Sequence, residues 1–423
     1  MKLLIKSVRI LHPTGKIDKD AVDMLIADGT IEKIGADLKT DKSVEIFDAE
    51  GAYASIGWMD MKANFRDPGD EVKEGIPSGL EAALAGGFSG VVLMSSAQPA
   101  VQSKADVEYI RNRSAGHIVT LYPTGALSID RDGKDITEMF DMKQAGAVAF
   151  TDDKRPVADS GLMMRALQYA GNCDSLVISY ADDKNISYKG QVNEGISSTT
   201  SGLKGMPSFS EELMVSRDLK ICQYTGSRLH FSTLSTAAAV EMIREAKKQG
   251  LPVSAEVCAH QLFFNDTVIL DYDTNYKVKP PFRSPDDVAA LKEGIADGTI
   301  DVICSDHTPE DPESKIVEFD FAAFGISGIE TAFAVANTAA GKDIKLNRII
   351  DAFTVQPRRV LGIAIPEIKE GSEANITIFN PNVAWTPVAS ELKSRSKNNP
   401  FIGMELKGRA IAVVAKGQFR KCF

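Results

Sequence analysis

Apolar residues in the middle of the chain fall in short unbroken runs, separated by stretches where they recur every three or four positions. The first period marks strands buried on both faces, the second amphipathic helices. Eight runs read as strands: residues 54–58, 90–94, 117–122, 147–151, 176–180, 228–232, 253–257 and 301–305. Between them lie helical patterns such as 77–85, 161–169, 237–249 and 286–296, several of them ending in Gly as helix C-termini often do. Eight strands alternating with helices is the count of a TIM (β/α)8 barrel. An open doubly wound sheet is the competing arrangement, but no G-x-G-x-x-G follows an early strand.

Both ends of the chain are patterned differently. Residues 3–11, 22–26 and 31–34 with the turn Asp28-Gly29 make a hairpin pattern, and 374–379 and 410–414 match it near the C-terminus, with a turn expected over 406–409. Two β-rich ends that flank a long α/β middle are expected to pair with each other. The expected division is a small β-sandwich domain from 1–52 plus 366–423 and a barrel domain from 53–365. The segment 183–208, rich in Gly, Ser, Thr and Asn, reads as a long loop after the fifth strand, either part of an active-site rim or a mobile surface loop.

Composition narrows the function classes. The chain has 423 residues, 43% of them hydrophobic, and a net charge of -10. With no long basic run, this argues against nucleic acid or an anionic membrane as partner. The opening residues alternate apolar and charged side chains rather than forming a signal-peptide apolar block, and no run approaches the ~18 apolar residues of a membrane span. A cytoplasmic protein is expected. The five cysteines are scattered without C-x-x-C spacing and read as reduced, with Cys258 and Cys304 in the core.

The chemistry concentrates where the predicted strands end, since barrels gather functional groups there. These ends carry Lys62 and Asn64, Ser95-Ser96, Asp152-Asp153, Tyr180, Thr233 and Asp306. The stretch Asp60-Met61-Lys62-Ala63-Asn64-Phe65-Arg66-Asp67-Pro68-Gly69 resembles the dihydroorotase pattern D-x-H-x-H-x-R-x-P-G. Further blocks match in order: Phe150-Thr151-Asp152-Asp153, Leu229 to Thr236, Ala255-Glu256-Val257 to His260, Lys277 to Arg283, Asp306-His307-Thr308-Pro309, Gly325 to Thr331, and Ser396 to Leu406. Along essentially its whole length the chain is similar to the larger, type I bacterial dihydroorotases. The resemblance implies an amidohydrolase-type barrel with a β-sandwich and a place in pyrimidine synthesis, where these enzymes interconvert carbamoyl-aspartate and dihydroorotate.

The resemblance also implies where a zinc site would sit. The family's first-strand histidines fall on Lys62 and Asn64, the bridging aspartate on Asp153, the fifth-strand histidine on Tyr180, the sixth-strand histidine on Thr233 and the catalytic aspartate on Asp306. All four histidine ligands are replaced. Carboxylates beside an ammonium are a poor substitute for imidazoles, so no zinc is expected, and the pKa lowering of water that hydrolysis requires goes with it. Asp306 is then vestigial as a catalytic residue, and Lys62 is expected between Asp153 and Asp306 in place of the metal's charge. The substrate-reading positions are Arg66, Ser96, Lys279, Glu310 and the Phe324-Gly325 backbone, of which Arg66 and the backbone pair keep the family character. Glu310 should repel an anionic substrate; Arg66 is held by Asp67 or Asp306 or is free for a ligand. His230, His260 and His307 read as framework residues.

By resemblance, degenerate homologues of this kind act as scaffold subunits for aspartate carbamoyltransferase, and a homo-oligomer is expected. One alternative is an active cyclic amidohydrolase with one metal rebuilt on Asp153, Asp306 and Tyr180. The other is a module that binds a metabolite through Arg66 and Lys279.

Overall fold

The computed structural model describes residues 1–18, 20–41 and 43–423. Barrel strands Trp58–Ala63, Phe88–Leu93 and Thr120–Pro123 form one parallel sheet, and Val177–Ser179, Leu229–Phe231, Val253–Cys258 and Val302–Cys304 form a second. The predicted fourth strand, 147–151, is too irregular to count as a strand. It still joins the two sheets, because Phe150 bridges Gly125 on one side and Val177 on the other. A bridge between Ala63 and His307 closes the ring.

The barrel interior is filled by Met59, Met61, Val92, Met94, Ile178, Cys258, Val302 and Cys304. The helix-facing side of the same strands contributes to a larger cluster with Trp58, Phe88, Val91 and Leu93. Strands buried on both faces explain the unbroken apolar runs. Helices Ile76–Ala85, Ser160–Asn172, Ala237–Lys248 and Pro285–Asp297 stand where the 3.6-residue patterns predict them. Pro285–Asp297 starts at a capping box of Ser284 and Asp287 and ends on Gly298 in the left-handed region, which lacks a side chain to strain it.

The two ends of the chain meet in one eight-stranded sheet, where Ile376–Trp385 lies between Tyr53–Ile56 and Leu406–Ala415 and Lys2–Ile10 pairs Val22–Ala27. Three expectations are corrected here. Tyr53–Ile56 belongs to this sheet, so the first barrel strand is Trp58–Ala63 and not 54–58, and the sheet reaches past the expected boundary at 52. Residues 406–409, expected as a turn, start a ten-residue strand. Residues 183–208 are not structureless: Val192–Asn193 pairs Gly205–Met206 around the helix Ile196–Ser201. That segment buries Val192 with Ile269 and Phe319, a contact its polar composition hides. Among the described residues no helix is long and apolar enough to cross a membrane.

Candidate functional site

The residues singled out at the predicted strand ends gather at one mouth of the barrel. A bulge between Asp60 and Ala63 shifts the first strand's register by one residue, and beyond it Lys62 reaches across the mouth. Its ammonium donates to Asp153 Oδ1 at 2.7 Å and to Ser232 Oγ at 3.1 Å. Asp153 takes a second hydrogen bond from Ser96 Oγ at 2.7 Å, and Ser96 accepts one from Asn64 Nδ2 at 2.7 Å. On the other side Ser232 donates to Glu256, whose second oxygen lies 3.4 Å from His230 Nε2, and His230 Nδ1 is 2.8 Å from Ser254 Oγ. Lys62 thus sits in the centre of a continuous polar chain crossing the mouth, and its side chain is only 3% exposed.

The electrostatics follow from that burial. Desolvation alone would push the Lys62 ammonium's pKa down, but the carboxylates of Asp153, Asp306 and Glu256 outweigh it and hold the proton above the ordinary lysine range. For Asp153 burial pulls upward, yet the charges of Lys62 and Lys154 and the hydrogen bonds from Lys62 and Ser96 keep it below the usual carboxylate value. Glu256 is likewise held low against burial, by His230, Lys62 and Ser232. An ammonium this firmly protonated has no lone pair for a metal.

The other expected positions are also engaged. Asp306 is paired with Lys154 at 2.8 Å, so Lys62 does not stand between two aspartates as expected; the lysine next in sequence to Asp153 takes the second carboxylate. Asn64 uses its oxygen to accept the Arg66 N–H at 2.9 Å. Arg66 is held by neither Asp67 nor Asp306: its guanidinium pairs with Glu310 and donates to Pro309 O at 3.1 Å. Lys73 binds the other oxygen of Glu310 at 2.6 Å. Glu310, expected to repel an anion, is instead the ion-pair partner of Arg66. Lys279 is paired with Asp182 at 2.9 Å. Tyr180 is buried, with its hydroxyl pushed further up by desolvation and by Asp182 and Glu211. Thr233 Oγ1 is buried without a partner. Phe324 stacks under Lys277 at 4.8 Å. Gly325, at φ +152°, passes so near the chain that a Cβ would lie 2.5 Å from Thr308 O, so its retention follows from close packing.

Arg66, Asp153 and Asp306 all adopt the left-handed backbone region, with φ of 58°, 51° and 49°. Such residues concentrate where the chain must turn sharply to present a side chain. His307 packs edge-on against Phe65 and lies 3.6 Å from Glu74, and His260 packs edge-on against Phe282. Sequence reasoning missed Lys154, Ser232 and Glu256. Glu256 left a legible trace, a charge inside a buried apolar strand, which is rare unless paired. Among the described residues Cys258, His260 and Asp306 bring three metal-type donor atoms within 4.8 Å of one another, a group that leaves out Asp153.

Comparison with known proteins places this site in a lineage. A family model described as dihydro-orotase-like matches residues 54–239. The dihydroorotase of Pelotomaculum thermopropionicum is 44% identical over 422 residues, 99% of this chain and 98% of its own length. That of Syntrophus aciditrophicus is 39% identical over 421 residues, 99% of each chain. Among solved structures, the L-hydantoinase (dihydropyrimidinase) of Arthrobacter aurescens superposes with a TM-score of 0.85 at 22% identity, covering 99% of this chain and 95% of that one. A D-hydantoinase gives 0.84 at 23% identity with the same coverage. At that identity the hydantoinases support the shared architecture of barrel and β-sandwich alone. The end-to-end identity to dihydroorotases carries more: this chain belongs to the dihydroorotase family of amidohydrolases.

Proposed function

We propose that this family member does not carry out zinc-dependent hydrolysis or closure of a cyclic amide, and that it serves pyrimidine synthesis as a scaffold subunit for aspartate carbamoyltransferase. The observation that carries the first part is the Lys62 ammonium on Asp153 at 2.7 Å, inside a polar chain that engages both carboxylate oxygens of Asp153. The residues at the positions implied for zinc do not fit that ion. Lys62 is a protonated cation, Asn64 is bonded through both polar groups, and Asp306 is shared with Lys154. Zinc relies on neutral imidazole, thiolate or free carboxylate donors, and without a Lewis acid the pocket lacks the group that would lower the pKa of an attacking water.

The substrate side supports the same reading, because Arg66 and Lys279, the cations suited to a carboxylate, are each neutralised by Glu310 and Asp182. This also weighs against a metabolite-binding role for that pair. The scaffold role rests on the resemblance and on a fold that stays intact where the chemistry is altered. It is tested by mixing the purified chain with the aspartate carbamoyltransferase of the same organism and measuring mass in solution. A stable complex is expected; two independent species at micromolar concentrations would remove the scaffold reading.

A further inference from the structure

Besides Thr233 Oγ1, two further polar atoms near the barrel mouth lack partners, and both lie away from the family's histidine positions. Cys258 ends the seventh barrel strand, His260 follows it, and Asp306 follows the eighth. One donor atom from each lies within 4.8 Å of the other two. All three are buried, Cys258 completely and His260 and Asp306 to 3% exposure. A buried polar atom without a partner costs about 1–3 kcal/mol, so native proteins rarely leave one. Here two fall in one cluster: His260 Nε2 and Asp306 Oδ1 both lack any hydrogen-bond partner, while the other Asp306 oxygen is taken by Lys154.

We propose that Cys258, His260 and Asp306 form a site for a borderline-soft dication of the Zn2+ or Co2+ type. A thiolate, an imidazole and a carboxylate are the donor types such ions take. Donor atoms on a tetrahedral ion sit about 3.3–3.8 Å apart, so the cluster closes around it with a shift on the order of 1 Å. The Cys258 thiol passes its proton to solvent on binding, leaving the sulfur as anionic ligand. Only Asp306 coincides with a position implied for the family's zinc. Asp153, which Lys62 keeps, is not among the site's donors. The role of the site is to tie the ends of the last two barrel strands together, since it lacks the cleared substrate pocket of a catalytic centre.

The test uses the purified full chain, stripped with a chelator and titrated with Co2+, whose bond to a thiolate gives a charge-transfer band in the near ultraviolet. One equivalent with that band is expected. C258S should abolish the band and weaken Co2+ binding at least tenfold, H260Q should weaken it similarly, and C173S, at a free cysteine outside the cluster, should leave both unchanged. Should C258S fail to fold, H260Q with the band as readout decides. No Co2+ binding by the wild-type chain, or binding without the band that D153N removes, overturns the proposal. The outcome is separable from the absence of hydrolysis: a thiolate band without dihydroorotate turnover supports both, and turnover with the band present contradicts the proposed loss of hydrolysis alone.

Discussion

Replacing Lys62 by Met keeps most of the unbranched side chain and removes the ammonium, which isolates what that charge contributes. At a separation of 2.7 Å and an effective dielectric constant near 20 the attraction to Asp153 is about 6 kcal/mol, offset in large part by the desolvation of both groups. Losing one partner of a buried pair leaves the other charge stranded, and such changes cost about 3–5 kcal/mol. K62M is therefore expected to destabilise the chain by about that amount in urea unfolding at neutral pH. K62M/D153N, with no charge left to strand, should cost less than K62M alone, giving a coupling of about 2–3 kcal/mol in the double-mutant cycle. Asn is the suitable partner substitution because Asp153 sits at φ 51°, which Asn tolerates.

The pH dependence follows from the shifts. Asp153 is held below its ordinary 3.8, so its contribution is present above that value and is lost as pH falls through the lower folded value. Lys62 is held above its ordinary 10.5, so its contribution is complete below that value. The pair then stabilises the fold between about pH 4 and pH 10. In K62M, burial pushes Asp153 up instead, and the penalty should shrink as pH falls toward 4. A K62M variant within about 0.5 kcal/mol of wild type at neutral pH, or a cycle without coupling, would refute this account of the site.

Two further outcomes follow from the same geometry. Burial raises the Asp60 carboxyl to about 7 despite the N–H and O–H bonds it accepts from Ser305. A raised folded value means stability that is full below 3.8 and lost as pH rises through about 7, amounting to about 4 kcal/mol for a shift of this size. D60N should remove that dependence, seen as a flatter profile of unfolding free energy between about pH 4 and pH 8. Glu310 pairs Arg66 and Lys73 from a buried position, so E310A should cost about 2 kcal/mol in urea unfolding. An unchanged midpoint would show that the two cations find other partners.

The barrel was legible because its strands are buried on both faces and its helices on one, so each carries its period in the sequence. The first strand was misplaced because 53–56 and 58–63 are consecutive strands divided only by Gly57, and sequence periodicity cannot tell which sheet each enters. At the site, the positions of Lys62, Asp153 and Asp306 were readable from the ordered blocks. Their pairing was not. Lys154 rather than Lys62 reaches Asp306, and Glu310 rather than Asp67 reaches Arg66, because those choices depend on how strand-end loops turn in space. Glu256 was visible as a charge in an apolar strand, but its link to Lys62 through Ser232 needs the spacing of two neighbouring strands.

The claim that Lys62 stands where hydrolytic chemistry would require a metal is tested most directly by turnover. Purified chain, incubated with excess Zn2+, is assayed for conversion of dihydroorotate to carbamoyl-aspartate and for the reverse closure. The account predicts no conversion above the protein-free control in either direction. Conversion at an ordinary enzymatic rate, about 1 per second or faster, that disappears on chelation and survives in K62M would contradict it.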